Sequence, residues 1–416
     1  MRILLLMQWF DPEPTFKGLV FAKKLSEYGH EVEVLTGYPN YPGGKIYPGY
    51  SIKPMQVEVM DGIRVTRIPL YPSHDSSAIR RIATYVSFGM SSCLAGLLAV
   101  RKPDVIYANG PPPTVGIAAA VVARLRKAPF VFDIQDLWPD SLSATGMMDD
   151  PRALRAVGWV CDAMYRSAAR IVVPAPGIRD RLIARGVAAS KISVIYNWCA
   201  ESSIAPAGER DAESMPEVAT KKHSGTFDVL FAGTMGKAQA LDALLDAGEI
   251  LKCENPAVRL LLMGGGIEVE RLKRAVAERA LTNVQLLPRV PMSEVGEVLS
   301  RADALIVHLK DDPLFRMAIP SKTQAYMAAG KPVIMAVAGD AARMIRESEA
   351  GVCAQPEHAR SIADAIQQLA TMGSDRLLKM GQSGRRYYRE NLSLDVGARR
   401  FIETFESMLR VRSANS

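Results

Sequence analysis

Short apolar segments alternate with amphipathic helical segments along this chain, and this alternation restricts the possible folds more than any other feature of the sequence. Helical segments such as residues 16–30 and 114–127 separate the apolar ones. In the first half of the chain the apolar segments are residues 2–10, 31–37, 103–110, 129–136, 170–176 and 191–198. Buried strands separated by helices are typical of a parallel, doubly wound sheet. We therefore expect an α/β fold.

The alternation stops at residues 200–225 and then restarts. This stretch is polar, rich in proline, serine and charge, and poor in large apolar residues, so we interpret it as a linker or a long surface loop. Beyond it, apolar segments recur at residues 227–233, 258–266, 284–290, 302–309, 331–337 and 351–355. The pattern predicts a second sheet of the same kind.

The length of 416 residues fits two domains better than one core. We predict one Rossmann-like domain over residues 1–199 and a second over residues 226–385, joined by the linker at 200–225. The strongly helical residues 386–416 are predicted to cross back to the first domain. Ligands of such sheets bind at the carboxyl ends of the strands, so two sheets facing a central cleft would share one site.

The net charge of +7 lies entirely in the first half of the chain. Residues 1–197 hold 23 Lys+Arg against 16 Asp+Glu, whereas residues 198–416 hold 28 of each. A basic half indicates an anionic partner, namely lipid headgroups, a phosphorylated acceptor or nucleic acid, with chance as the alternative explanation. Nucleic acid has no other support, because aromatic and basic residues do not interleave here.

Cysteine and histidine are not spaced like metal ligands. The five cysteines are scattered without a C-x-x-C pair, and the five histidines are dispersed. This argues against a disulfide framework and against a zinc site, and it fits a reducing cytoplasm. We expect neither a metal nor a cofactor. The apolar residues 3–7 are too few for a signal sequence, and we expect them to form the first strand.

Residues 319–333 contain the clearest candidate for an anion site. Pro320 and Ser321 fit the start of a helix, and Gly330 fits its end. Ser321 and Lys322 would then lie beside the free backbone amides at the positive end of that helix. The segment therefore predicts a site for a phosphate or a similar anion.

Two glycine-containing loops in the same half are further candidates. One predicted strand ends at Gly233, after which Thr234 and Gly236 keep the turn open and Lys237 follows. A second strand ends in a glycine cluster that includes Gly265. Glycines let a backbone approach a ligand closely, and a lysine binds phosphate as a point charge. The alternative reading is an exposed lysine and glycines that merely end strands.

These motifs, in their order along the chain, resemble the retaining glycosyltransferases of family 4, which have the GT-B fold. The segments that carry the resemblance are residues 29–37, 194–198, 231–237, 262–266, 301–309 and 326–333. Residues 8–18, 36–50, 71–77 and 133–140 are similar to the subgroup that adds N-acetyl-L-fucosamine or related amino sugars in O-antigen and capsule assembly.

The resemblance implies a nucleotide-sugar donor of the UDP type, held mainly by the second domain, and an acceptor held mainly by the first. It implies donor contacts for Gly233, Thr234, Lys237, Gly265, Ser321 and Lys322. It further implies that Gly18 closes over the donor from the first domain and that Arg289 and Val290 meet the base. In this family a donor phosphate oxygen is thought to take the acceptor proton, so neither a protein base nor a metal is required.

One feature of the family is missing. The resemblance implies two glutamates eight positions apart, but Met317 and Ala325 occupy those positions. In relatives the second glutamate holds the ribose hydroxyls. Gln324, Tyr326 or a backbone carbonyl are the candidates to replace it.

Four residues are candidates for catalysis. Lys237 and Lys322 would stabilise charge on the departing diphosphate. Gln135 and Asp136 follow a strand at the point where the resemblance implies a polar pair beside the reacting sugar. Asp133, just before them, fits the role of a loop or helix cap.

Acceptor contacts are predicted for Asn109, which ends the preceding strand, for Glu13 on the N-terminal loop, and for His74. A polar turn explains His74 equally simply. The acceptor implied by the resemblance is a saccharide linked to polyprenyl diphosphate.

Residues 82–100 contain no charged residue and are nearly numerous enough to span a bilayer. They precede a strand that the first sheet needs, so we expect a core helix with one side toward the membrane. Basic residues flank the run and would bind anionic headgroups: Arg80, Arg81, Arg101 and Lys102. We expect a cytoplasmic protein, peripheral on the inner face of the plasma membrane. The alternative functions are a sugar-nucleotide epimerase or hydrolase of the same fold, and a non-catalytic sugar-nucleotide-binding protein.

Overall fold

The computed structural model describes residues 1–73, 78–144, 148, 150–204 and 225–414. The chain divides into two compact units. The first unit is Met1–Tyr196 together with Gly397–Ser416, and the second is Asn197–Val396. Each unit contains its own sheet with helices around it, and the predicted α/β fold with two sheets is confirmed.

The first unit contains an eight-stranded sheet in the order β3-β4-β2-β1-β5-β6-β7-β8. Its strands are β1 (Arg2–Met7), β2 (Glu31–Gly37), β3 (Gln56–Met60), β4 (Ile63–Ile68), β5 (Val105–Gly110), β6 (Phe130–Ile134), β7 (Arg170–Val173) and β8 (Ile192–Val194). The inner strands β1, β5 and β6 are buried almost throughout, which explains their continuous apolar sequence.

One strand pair in this sheet is antiparallel, so the expectation of an entirely parallel sheet is wrong at its edge. β3 and β4 form a hairpin in which Met60 pairs with Ile63. Asp61 and Gly62, the two turn residues, have φ values of +46° and +83°. An Asp-Gly pair between two alternating apolar segments is a strong sequence signal for such a hairpin. The turn is therefore explained by its own two residues.

The helices of the first unit surround this sheet. They are α1 (Leu19–Glu27), α2 (Ala78–Leu98), α3 (Pro113–Arg126), α4 (Asp140–Ala144), α5 (Pro151–Ser167) and α6 (Pro176–Ala184), with a 3-10 turn at Ala189–Lys191. Local sequence fixes where α5 begins. The carboxylate of Asp150 accepts hydrogen bonds from the backbone N–H groups of Arg152 and Ala153, and Pro151 occupies the first helical position.

The second unit contains a six-stranded parallel sheet in the order β11-β10-β9-β12-β13-β14. Its strands are β9 (Phe227–Thr234), β10 (Val258–Gly265), β11 (Val284–Leu287), β12 (Ala304–His308), β13 (Val333–Ala336) and β14 (Gly351–Cys353). The chain builds outward on one side of β9 through β10 and on the other side through β12. The topological switch point, where ligands bind in open α/β sheets, therefore lies between β9 and β12.

Helices cover this second sheet. They are α7 (Glu201–Ile204), α8 (Asp242–Glu254), α9 (Val269–Glu278), α10 (Met292–Arg301), α11 (Pro313–Arg316), α12 (Ser321–Ala329), α13 (Asp340–Glu347), α14 (Ala359–Ala370) and α15 (Ser374–Tyr387). A π-helical turn, Tyr388–Leu392, follows. Helix α7 lies inside the segment predicted as a linker, and residues 205–224 of that segment are outside the described part of the chain.

The last helix, α16 (Leu394–Ala414), begins in the second unit, and its residues from Gly397 onward belong to the first unit. Within the first unit, the Phe401 ring centroid lies 5.2 Å from that of Phe21 and 5.4 Å from that of Tyr107. The C-terminal residues therefore complete an aromatic cluster of the first unit. Of the helices in the described ranges, none is both long enough and apolar enough to cross a membrane.

Candidate functional site

Lys322 lies at the switch point of the second sheet. It is the second residue of α12, which begins directly after Pro320 and ends at Gly330, where φ is +72°. Its Nζ lies 3.3 Å from the centroid of the Phe231 ring on β9. A Cβ atom on Gly233 would come within 2.5 Å of Lys322 Cε and within 3.1 Å of its Nζ. Because Gly233 has no side chain, the Lys322 side chain can occupy the space beside it.

The surroundings of the Lys322 ammonium are unfavourable for a cation. Burial lowers its pKa from the ordinary value of 10.5 to about 7, and no neighbouring carboxylate raises it again. Within the described part of the chain, its Nζ takes part in no ion pair or hydrogen bond with another side chain. A buried charge is costly unless it is paired. The position is therefore complementary to an anion.

Backbone geometry beside Lys322 brings two loops together. Gly233, at the end of β9, has a φ of +138°, and Gly264, near the end of β10, has a φ of +150°. A Cβ atom at Gly264 would lie 1.8 Å from the carbonyl oxygen of Gly233, so the two strand ends approach more closely than any side chain allows. Apart from its chain neighbours, no atom lies within 4 Å of the Cβ position of Gly265, so there is space for a ligand beside it, although its carbonyl accepts from the Met235 N–H at 2.8 Å.

Of the two side chains considered as substitutes for a ribose-binding glutamate, the Tyr326 hydroxyl is already engaged and Gln324 is buried. The Tyr326 hydroxyl is buried, accepts a hydrogen bond from the Ala232 N–H at 2.8 Å, and donates to the Ala232 carbonyl at 3.2 Å. The Gln324 side chain is buried, and its amide faces the carbonyls of Pro320 and Ser321, to which its nitrogen donates when the amide is turned by half a rotation. Which group accepts from the ribose hydroxyls stays a prediction.

Lys237 has different surroundings from those expected. It opens a 3-10 turn, Lys237–Gln239, and not the following α-helix, which begins at Asp242. It is exposed and lines an open cavity of about 320 Å³. The other charged residues that line this cavity are Asp242, Asp246, Glu268, Arg271, Lys310 and Glu357. With four carboxylates nearby, this cavity is less suited to a diphosphate than the position of Lys322.

The remaining residues with a predicted donor contact occupy ends of strands and helices. Thr234 is exposed at the end of β9, and Ser321 is exposed at the first position of α12. Arg289 is exposed after β11, and its neighbour Val290 is buried. All four follow a strand of the second sheet or begin a helix beside it. Their contacts with a donor stay predictions.

His308 lies in one of the segments that carry the family resemblance but has no predicted role, and it holds two of these loops in place. Its Nδ1 lies 2.7 Å from the carbonyl oxygen of Gln239, and its Nε2 accepts a hydrogen bond from the Glu357 N–H at 3.0 Å. The ring is therefore neutral, with the proton on Nδ1. Burial lowers its pKa, which favours the same state. The sequence signal, a lone histidine at the end of an apolar strand, does not reveal this role.

In the first unit, Asp133 is the centre of a buried polar cluster and not a cap. Its carboxylate accepts from the Lys17 ammonium at 2.5 Å, from the Tyr107 hydroxyl at 2.6 Å and from the Gln135 amide at 2.7 Å. Lys17 and Asp133 are both fully buried, and the Lys17 ammonium also lies 5.1 Å from the Phe401 ring centroid. The cluster fixes Gln135 at the carboxyl end of β6.

Asp136 and Asn109 are the other polar groups at this edge of the first sheet. Burial against the surrounding protein raises the pKa of Asp136, although its side chain retains contact with solvent. Asn109 is half-buried on β5, opposite Asp133 in the strand register, and no group in the described part of the chain bonds its Oδ1. Both side chains are therefore placed to meet a polar ligand.

Glu13 is not free to meet an acceptor, which corrects the expectation for this residue. One of its oxygens accepts from the backbone N–H groups of Asn40 and Tyr41, both at 2.7 Å, and the other accepts from that of Phe10 at 3.1 Å. Burial raises the pKa of Glu13, and the three N–H groups and nearby Arg67 oppose that rise. Glu13 therefore holds two loops together.

The helix N-terminus next to Gly18 is already occupied by an anion of the chain itself. The Asp11 carboxylate accepts from the Leu19 N–H at 2.6 Å, and a Cβ atom at Gly18 would lie 2.0 Å from its Oδ2. A side chain at position 18 would collide with the Asp11 carboxylate, so glycine is required there. A donor contact at Gly18 stays a prediction. His74, the third residue with a predicted acceptor contact, lies outside the described residues.

Aromatic side chains lie near Asp136, where the sequence motifs do not indicate them. The ring of Trp138 packs against that of Tyr85 with centroids 6.2 Å apart. Burial raises the pKa of Tyr85, and the charge of Asp136 adds a smaller contribution to that rise. Trp9 and Tyr41 form a second pair at 4.9 Å. Flat apolar rings beside polar groups suit sugar rings, which have both apolar and polar faces. Across the described residues, no group of three or more His, Cys, Asp or Glu side chains is placed to hold a metal ion.

Two family models match successive parts of the chain. Residues 19–198 match the glycosyl transferase 4-like domain, and residues 217–387 match glycosyl transferases group 1. WcaI of Escherichia coli (strain K12), a glycosyl transferase named for colanic acid biosynthesis, is 26% identical over 414 residues, covering 97% of this chain and 99% of WcaI.

Solved structures share the fold over nearly the whole chain. Sucrose-phosphate synthase from Thermosynechococcus elongatus has a TM-score of 0.72 at 17% identity, covering 99% of both chains. Alr3699/HepE from Anabaena, solved in complex with UDP-glucose, has a TM-score of 0.65 at 15% identity, covering 98% of this chain and 100% of that chain. At these identities the likeness establishes the fold.

Proposed function

We propose a reaction from the premise that this chain belongs to the GT-B glycosyltransferases, with a glycosyl transferase 4-like domain followed by a group 1 domain. The enzyme transfers a sugar from a nucleotide-sugar donor of the UDP type to a saccharide linked to polyprenyl diphosphate. The sugar is an N-acetylated amino or deoxy sugar and is transferred with retention. The reaction is a step in the assembly of a surface polysaccharide, at the inner face of the plasma membrane.

The observation that carries this proposal is the half-buried, desolvated ammonium of Lys322, which meets no counter-ion within the described residues. It lies at the switch point of the second sheet, beside the N-terminus of α12 and the glycines that end β9 and β10. A diphosphate supplies the negative charge that this position lacks. Alr3699/HepE was solved with UDP-glucose, and WcaI is named for colanic acid biosynthesis. Both names support the donor type and the pathway class proposed here.

The chemistry follows from where charge develops. When the bond between the sugar and the diphosphate breaks, negative charge accumulates on the leaving group. The Lys322 ammonium and the backbone N–H groups at the start of α12 stabilise that charge without moving. A phosphate oxygen of the donor takes the proton of the acceptor hydroxyl, and Gln135 and Asp136 are the polar pair proposed beside the reacting sugar.

The test combines donor binding with transfer. A panel of nucleotide sugars is screened by thermal shift, because a ligand that binds only the folded state raises the unfolding temperature. Transfer from the best donor to a polyprenyl-diphosphate saccharide is then measured. Lys322→Ala should lower the transfer rate by about 10²–10³-fold, as expected for loss of one preorganised charge.

Lys379→Ala is the matched control, because Lys379 is an exposed lysine on α15 of the same unit. It should behave like the wild type. Incubation with donor alone separates transfer from the epimerase or hydrolase alternative, which consumes donor without an acceptor. A wild-type rate for Lys322→Ala would contradict the diphosphate site.

A further inference from the structure

Helix α2 exposes a continuous apolar stripe. Five large side chains recur at intervals of four residues and are 45–77% exposed: Ile82, Val86, Met90, Leu94 and Leu98. Residues four apart are neighbours on a helix surface, offset by about 40° around the axis, so the five form a continuous ridge that winds slowly along most of α2, which has 21 residues. Single exposed apolar residues are ordinary, but contiguous apolar surface of this extent marks an interaction site.

The opposite side of α2 is the more polar one. Thr84 and Ser92 are buried there together with Phe88. The Thr84 hydroxyl donates to the carbonyl of Arg80, and the Ser92 hydroxyl has no hydrogen-bond partner in the part of the chain that is described. A surface helix of a soluble protein has its hydroxyls outside and its aliphatic residues inside. In α2 the most exposed side chains of the stripe are all apolar while two hydroxyls are buried, which indicates that its outer side meets an apolar medium.

Helix α3 extends this apolar surface. A Cβ atom at Gly96 of α2 would lie 2.6 Å from Val122 of α3, so the two helices pack closely. Outward from that contact, α3 exposes Ile117, Val121 and Leu125, again four residues apart. The exposed surface is therefore two helices wide.

Helix α5 adds the largest exposed side chain of the surface. The Trp159 side chain is 73% exposed. A groove of about 710 Å³ between α3 and α5 is lined by Ile117, Val121, Trp159 and Met164, among others. A tryptophan beside aliphatic residues is typical of the boundary between headgroups and acyl chains.

The charges of the three helices are predominantly positive. Together α2, α3 and α5 carry seven arginines, no lysine and one acidic residue, Asp162. Among the arginines, Arg124, Arg152 and Arg155 are at least partly exposed. Such a surface complements anionic lipid headgroups. A protein partner would have to bring both an apolar patch and a surplus of carboxylates, whereas an anionic bilayer offers both apolar chains and negative charge everywhere.

We infer that the outer sides of α2, α3 and α5 form a monotopic membrane-binding face that inserts apolar side chains between anionic lipids. The inference rests on the proposed function, because a lipid-linked acceptor places the enzyme at a bilayer. It goes further by naming the binding surface and the force that acts there. Apolar insertion supplies part of the affinity, so binding resists salt more than attraction through the basic residues alone would.

The test uses the full chain and vesicles of phosphatidylcholine with phosphatidylglycerol. The variant Met90→Gln/Leu94→Gln/Leu98→Gln removes three members of the α2 stripe, and sedimentation with vesicles should show binding weakened by at least about tenfold. The matched control is Val59→Gln/Met292→Gln/Leu378→Gln, which removes three similarly exposed apolar side chains elsewhere. The control should bind like the wild type.

Trp159 provides a positional readout. Lipids brominated on their acyl chains should quench its fluorescence, and Trp159→Phe should remove most of that quenching. Wild-type binding should weaken at high salt without disappearing. The inference is overturned if the stripe variant binds like the wild type, if high salt abolishes wild-type binding, or if the stripe mediates a dimer that leaves vesicles unbound.

Failure of this inference is distinguishable from failure of the proposed function. A water-soluble acceptor analogue with a short chain needs no membrane, so the wild type should glycosylate it whether or not the face binds lipid. If the wild type transfers no sugar to the analogue but binds vesicles through the stripe, the proposed reaction is contradicted and the membrane-binding face is supported. If it transfers sugar to the analogue but does not bind vesicles, the proposed reaction is supported and the membrane-binding face is contradicted.

Discussion

The Nζ of Lys322 lies 3.3 Å from the centroid of the Phe231 ring, so an aromatic face takes the place of a counter-ion. Such a contact contributes roughly 0.5–2 kcal/mol, less than an anion in a desolvated site. Burial lowers the pKa of this lysine to about 7. A diphosphate that arrives at Gly233 would therefore find a cation that is already positioned and only weakly held.

Donor affinity should depend on pH through Lys322. In the free enzyme the lysine is charged below about pH 7 and neutral above it. A bound diphosphate raises this pKa, because a nearby negative charge favours the ammonium. Affinity should therefore be constant below pH 7 and should fall by up to about tenfold per pH unit above it. Calorimetry at pH 8 in buffers of different ionisation enthalpy should detect the uptake of about one proton on binding.

Lys322→Arg is the control for this pH dependence, because a guanidinium stays charged throughout the range. The donor affinity of that variant should be nearly independent of pH between about 6 and 9, whatever its absolute value. If the wild type were equally independent of pH, Lys322 would not be the group that meets the diphosphate.

A carboxylate at position 325 should be compatible with donor binding. Ala325 is half-buried on α12, and its polar neighbours Gln324 and Tyr326 are engaged elsewhere. An unpaired buried hydroxyl of the ribose would cost about 1–3 kcal/mol. We expect Ala325→Glu to tighten donor binding or to leave it unchanged, with the fold intact, as measured by calorimetry. A folded variant that no longer binds donor would show that this position differs from its counterpart in the family.

The buried pair of Lys17 and Asp133 should be essential to the first unit. Removing one member of a buried ion pair leaves an uncompensated charge and costs about 3–5 kcal/mol. Lys17→Met should lower the free energy of unfolding accordingly, as measured by urea denaturation followed by circular dichroism. Lys23→Met breaks the exposed pair with Asp61 and should change stability little. Equal losses for both variants would rule out a special role for the buried pair.

Chelation should leave the reaction unchanged. The charge on the leaving diphosphate is stabilised by Lys322 and the N-terminus of α12, so no divalent cation is needed at that step. Donor binding and transfer are measured with saturating EDTA and again after magnesium or manganese is restored. Loss of both in EDTA, with recovery on addition of metal, would be incompatible with this mechanism.

The short-range features of the sequence are sufficient for most of the fold. Strands buried on both sides must be apolar throughout, and helices between them must be amphipathic, so β1, β5 and β9 can be located from composition alone. The start of α12 after Pro320 and its end at Gly330 are equally local, because proline and glycine act through their own backbone angles. The β3–β4 hairpin carries the same kind of local signal in its Asp-Gly turn.

The sequence by itself thus determined two α/β sheets, the glycine loops and the helix that begins beside Lys322, because each depends on residues close together in the chain. Tertiary structure alone decided how the polar side chains are used. Lys17 meets Asp133 across 116 positions, and Tyr326 meets Ala232 across 94. A side chain at an element end can face a ligand or the protein, and the choice depends on which distant groups the packing brings within hydrogen-bond distance. Glu13 and Tyr326 therefore bond to the protein itself, whereas Lys322, which has no such partner among the described residues, is the group for which a ligand is proposed.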